Sequence, residues 1–149
     1  MDDKQNIMFQ VEGYDSIYTY FRFTSELTKL FKKDRHNAHL YEQWLDRQLH
    51  FMDDEPIQFL LSEHPTVFEK IRSFQYHGST YSIYSIRRPQ TSKNLRILFS
   101  LIESGSDQAD ILLLAFSELN QSDYERSIPI AIKRMKDIIA ALEENYESD

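Results

Sequence analysis

Four cations, Arg87, Arg88, Lys93 and Arg96, fall within ten residues of one another, and Tyr81, Tyr84 and Phe99 flank them. Guanidinium and ammonium groups at that density suit the oxyanions of a nucleic-acid backbone, and neighbouring rings suit unpaired bases that stack. A solvated charged face beside an aromatic core strand writes the same pattern, so both readings stand at this level. A second basic group, Lys133, Arg134 and Lys136, lies near the C-terminus. Other chemistries have less to work with. Three glycines supply neither a Gly-rich phosphate loop nor a Gly-x-Ser-x-Gly elbow. The absence of cysteine removes thiolate catalysis, disulfides and cysteine zinc sites. His36, His39 and His50 lack the His-Glu-x-x-His spacing, so neither a metal nor another cofactor is expected.

The elements that must position these residues are legible as hydrophobic periods. Ile83-Tyr84-Ser85-Ile86-Arg87 alternates as a strand, Leu95–Ile102 is a second β-rich run, and Asp110–Phe116 is a third, apolar enough to be covered on both faces. Tyr76-His77-Gly78-Ser79 marks a turn into this meander. A helix beginning at Ser127, with Pro129 in its first turn, carries the stripe Ile128, Ala131, Ile132, Met135, Ile138, Ile139 and Leu142; Lys133, Arg134, Lys136 and Asp137 are expected to face outward.

In the front half, Ile7–Val11 reads as a short strand and Ser16–Phe23 as a fuller one. A helix capped by Thr24 or Ser25 runs to Lys33, a second spans Asn37–Met52, and a third starts at Glu55-Pro56. Val67, Phe68 and Ile71 carry a last helical turn. With 149 residues and no linker or repeat, a single domain over 1–149 is expected, with an N-terminal extension (1–16) and a fraying acidic tail (143–149).

The segment Tyr81–Lys136, a little over a third of the chain, resembles the RelE/HigB-like toxins of bacterial type II toxin–antitoxin pairs, in particular the phage-derived HigB-like branch. Ile83-Tyr84-Ser85-Ile86-Arg87 matches a family strand of the form Leu-Tyr-Glu-Leu-Arg, and Leu95-Arg96-Ile97-Leu98-Phe99 matches Tyr-Arg-Ile-Leu-Tyr. Ala115-Phe116 leads into Ala131-Ile132-Lys133-Arg134-Met135, similar to the family's closing helix. The resemblance implies an α+β, RelE-like fold: a four-stranded, largely antiparallel sheet, two or three helices inserted after its first strand on one face, and a C-terminal helix.

It also implies a metal-independent endoribonuclease that cleaves mRNA on the ribosome and is held in check by an antitoxin protein. Arg87 and Arg96 keep the family's arginine positions and are the phosphate-binding candidates, with Arg88, Lys93, Tyr84 and Gln121 as RNA contacts. Where relatives carry a Lys-Lys pair after the Phe, this chain has Glu118-Leu119, and only Gln121 of the following motif is kept; Tyr124 or His77 stands in as acid or base. The alternative is a non-catalytic interaction module or a decayed toxin. The net charge of −7 runs against phosphate binding outside a local patch. No apolar run approaches the roughly 20 residues of a spanning helix, and Met1-Asp2-Asp3-Lys4-Gln5-Asn6 has no signal-peptide form, so a cytoplasmic protein away from membranes is expected.

Overall fold

The run Asp110–Ala115 is buried throughout. It lies within the central strand of the computed structural model, which describes residues 7–88, 94–104 and 107–147. Among those residues the order is β1 (Met8–Gln10), β2 (Ile17–Tyr20), α1 (Phe23–Lys33), α2 (Ala38–Asp54), α3 (Ile57–Glu63), β3 (Phe68–Tyr76), β4 (Ser79–Arg87), β5 (Asn94–Ser104), β6 (Asp107–Glu118) and α4 (Gln121–Glu147). The strands make one six-stranded sheet in the order β1-β2-β6-β5-β4-β3. Neighbours pair antiparallel except β2 and β6, which run parallel with Ile17 beside Asp110 and Thr19 beside Leu112.

This replaces the four-stranded, largely antiparallel RelE-like sheet with a six-stranded mixed one. The α+β class stands; the strand number and pairing do not. Antiparallel partners here are joined by short turns or loops, whereas β2 reaches β6 only through three helices and three strands, so no hairpin dictates its direction. Residues assigned to the N-terminal extension supply β1, and residues assigned to a helical turn supply β3. In β3 strand alternation already places Ile71 opposite Phe68, and a bulge between Lys70 and Arg72 then brings Phe74 and Tyr76 to the Ile71 face, so apolar residues recur at 68, 71 and 74. A period of three thus imitated a helix.

Helices cover both faces, not one. Phe23, Leu49, Met52 and Leu60 from α1 to α3 meet Phe68, Ile86, Ile97, Phe99 and Leu112 on the first face. Ile128, Ala131, Met135 and Ile138 of α4 meet Ile83, Leu98, Ile111 and Leu113 on the second. The β5–β6 register shifts between Leu98 and Phe99, which leaves Leu113 as an extra residue of β6 and puts both Leu113 and Leu114 on the second face. The turn between β3 and β4 has positive φ at both His77 (50°) and Gly78 (79°), the backbone of a type I′ hairpin, whose twist matches the flanking strands.

Helix α4 starts six residues earlier than the proline suggests. Asn120 Oδ1 accepts the Asp123 N–H, and Asp123 Oδ2 accepts the Leu119 and Asn120 N–H groups (2.8 and 3.2 Å), a reciprocal cap that nucleates the helix at Gln121. These backbone donors, with the Arg126 guanidinium, hold the Asp123 carboxyl below its ordinary range. Pro129 therefore sits inside the helix, on its exposed side, where water can satisfy the carbonyl that loses its partner. The helix continues to Glu147, so the segment 143–147 is helical backbone; 148–149 lie outside the described residues. Arg134, expected to face outward, turns inward instead: it donates to both carboxylate oxygens of Glu26 on α1 (2.6 Å each) and to the Leu113 carbonyl (2.8 Å). That carbonyl lies just beyond the last β2–β6 pair, so the guanidinium caps an edge the short β2 leaves open.

The β1–β2 loop is tied to α2. Asp53 accepts the Ser16 N–H (2.9 Å) and hydroxyl (2.7 Å), and the Tyr14 hydroxyl donates to Asp46. No helix among the described residues is long and apolar enough to cross a membrane.

Candidate functional site

Among the described residues β4 pairs with β5 from Tyr84–Phe99 to Arg87–Arg96, so the last of these pairs sets two arginines directly across from each other near the end of the two strands. Like charges in that position repel and cost stability, which makes the pair a feature that needs a compensating anion. Odd-numbered Ser85 and Arg87 of β4 and even-numbered Arg96 and Leu98 of β5 point toward α4, whose first turns close over them. The result is a cleft of about 410 Å³ lined by Glu69, Lys70 and Arg72 of β3, Arg87 of β4, Arg96 of β5, Glu118 of β6, and Gln121, Tyr124 and Glu125 of α4, among others.

Three of these side chains are anchored. Arg87 Nε donates to the Thr66 carbonyl (2.8 Å), and its own N–H pairs with the Val67 carbonyl (2.9 Å), which fixes the strand end. Arg96 Nε donates to Glu118 Oε2 at 2.5 Å, and the two side chains are only 11% and 20% exposed. The Tyr124 hydroxyl donates to Ser85 Oγ (2.7 Å); its ring lies edge-on to Phe116 and below the Arg96 guanidinium, 5.9 Å from the centroid. Burial raises the Tyr124 pKa above that of a free phenol, outweighing the Ser85 hydrogen bond and the nearby Arg96 charge. At neutral pH the phenol keeps its proton, so its chemical use is as a hydrogen-bond donor and stacking surface, not as a base. Four cations against three carboxylates leave the lining with one net positive charge in a chain of net charge −7.

Arg87, Arg96, Gln121 and Tyr124, expected from separate segments, are therefore brought together. The other candidates are placed elsewhere. His77 sits on the β3–β4 turn, stacked on Tyr76 with Nδ1 2.5 Å from Glu143 Oε2. Tyr84 faces the opposite side of the sheet and stacks on Phe99 in the core formed with α1 to α3. Arg88 leaves the strand toward the same side and lies over the Tyr41 ring, 4.7 Å from its centroid. Lys93 lies outside the described residues. Conversely, Lys70, Arg72, Glu69 and Glu125 line the cleft without having been singled out. The alternation Glu69-Lys70-x-Arg72 was the available signal, hidden by reading that segment as helix. His50 pairs with Asp46 (3.7 Å), and the described residues contain no grouping of three or more acidic or histidine side chains able to hold a metal ion.

No family model matches the chain, and comparison with curated proteins and with solved structures returned no match. The toxin resemblance rests on its strand and helix motifs alone.

Proposed function

We propose that the protein is a toxin-type endoribonuclease that binds single-stranded RNA in the cleft between β3–β6 and the start of α4, with an antitoxin protein as the partner that restrains it. The observation that carries this reading is the Arg87–Arg96 pair set directly across two strands, facing a half-buried tyrosine in a concave surface. A phosphodiester passing between two fixed guanidiniums relieves their repulsion. As the 2′-oxygen attacks phosphorus and the bond to the 5′-oxygen breaks, the extra negative charge of the transition state strengthens the same contacts. The proton lost by the 2′-hydroxyl and gained by the 5′-oxygen balances the reaction, and Glu69 and Glu125 are lining carboxylates able to accept it. The products are a 2′,3′-cyclic phosphate and a 5′-hydroxyl.

The test is incubation of purified protein with a mixed-sequence RNA, beside Arg87→Gln, with end-group analysis of any fragments and translation measured after induction in a bacterial host. Cleavage that leaves cyclic phosphates and is lost in Arg87→Gln is the expected result; intact RNA with undisturbed translation would sink the enzyme reading. A non-catalytic role has one observation in its favour, the neutralisation of Arg96 by Glu118. RNA bound and left uncut would establish it.

A further inference from the structure

Glu118 holds one of the cleft's guanidinium donors, Arg96 Nε. It is the last residue of β6, one diagonal step from Arg96 on the same face of the sheet, and its carboxylate meets Arg96 Nε at 2.5 Å in a spot where neither side chain is more than 20% exposed. Carboxylate and phosphate compete for the same guanidinium donors, and a pair formed largely out of water is not dissolved by salt as a surface pair is. The backbone just after Glu118 is held independently: the Leu119 N–H is bonded to Asp123 Oδ2 (2.8 Å). Glu118 can therefore release Arg96 by rotating its own side chain, with the cap of α4 intact.

Resting on the proposed RNA-binding reading of this cleft, we infer that Glu118 is its specificity-determining residue: it denies Arg96 to an isolated phosphate and yields it to a strand already anchored elsewhere. The remaining cations explain the difference. Lys70, Arg72 and Arg87 line the same cleft, so a strand held by them presents its next phosphate to Arg96 at the high effective concentration of a tethered ligand. A nucleoside monophosphate has no such tether and must displace the carboxylate unaided. The cleft thus selects polymeric over monomeric phosphate esters.

The experiment is equilibrium binding to wild type, Glu118→Gln and Glu118→Ala of two probes: a labelled 2′-O-methyl RNA of about ten nucleotides, which resists cleavage, and a nucleoside 5′-monophosphate. Wild type is expected to bind the strand and not the monophosphate. Both variants gain at least about tenfold in monophosphate affinity, while strand affinity rises less. Arg96→Gln added to Glu118→Gln removes the gain. Glutamine keeps a hydrogen bond to Arg96, so a folded variant is available even if alanine loosens the sheet end. Strand binding by wild type with no monophosphate gain in either variant overturns the role of Glu118 and leaves the RNA reading standing. Failure of every variant to bind the strand overturns both.

Discussion

Arg134→Met isolates a tie that joins the two helical layers. The Arg134 side chain is 12% exposed and Glu26 27%; between them run two hydrogen bonds of 2.6 Å, a third of 2.8 Å reaches the Leu113 carbonyl, and the guanidinium lies 4.8 Å from the centre of the Tyr20 ring. Methionine keeps most of the stem's packing and removes all four interactions. Removing one member of a fully buried pair costs about 3–5 kcal/mol; with Glu26 partly hydrated that falls to about 2. The carbonyl left without a donor and the lost ring contact bring the total to about 3 kcal/mol. For a chain of this size that is a fall in Tm of about 6–12 °C. Urea denaturation of wild type, Arg134→Met, Glu26→Gln and the double variant measures it, and the double variant should recover about half the loss because no charge is then stranded. A single variant within about 1 kcal/mol of wild type would refute the reasoning, since the guanidinium would then be neither pairing Glu26 nor capping the β6 edge in solution.

Asp110 is 2% exposed, and burial pushes its pKa from 3.8 up to about 7 against the opposing Gln108 hydrogen bond. The folded chain thus holds a proton that the unfolded chain has lost, so stability falls as pH rises from about 4 to 7; Asp110→Asn should remove that slope and add about 2–4 kcal/mol at pH 8 by denaturant titration, and an unchanged slope would contradict it. Asp123→Ala should cost the reciprocal cap, so amide exchange at residues 123–126 should rise to that of a frayed end while the middle of α4 stays protected. Phe68, 1% exposed and edge-on to Phe99, anchors β3; Phe68→Ala should cost about 3–4 kcal/mol, whereas a mobile helical turn there would tolerate it.

The elements that were legible in the sequence are those whose partners are near in the chain or whose period is undisturbed. The strands β4, β5 and β6, the three front helices, the His77-Gly78 turn and the apolar stripe of α4 all follow from local pattern and turn chemistry. The start of α4 was also written there, in Asn120-x-x-Asp123, but Pro129 drew the boundary inward. Strand β3 was not legible, because its apolar residues serve both faces and a bulge after Lys70 resets the alternation, leaving them three apart, and the motifs behind the toxin resemblance lie outside β1 and β3, the strands that enlarge the sheet.

For the site, the resemblance of the two strand motifs marked Arg87 and Arg96 as candidate phosphate ligands, and the basic cluster around them was legible from residue type. What tertiary structure decided is which charges meet. Arg87 and Arg96 are nine residues apart in the chain yet directly opposed across two strands, Glu118 comes from a third strand to neutralise one of them, and Tyr124 is delivered by a helix on that face. Arg88, one residue beyond Arg87, goes to the other side of the sheet, and Arg134, written as a surface cation, is spent on Glu26 and a bare carbonyl. A charge's role depends on how much water it keeps and which partner replaces the rest. Both are properties of packing between distant segments, which local periodicity does not encode.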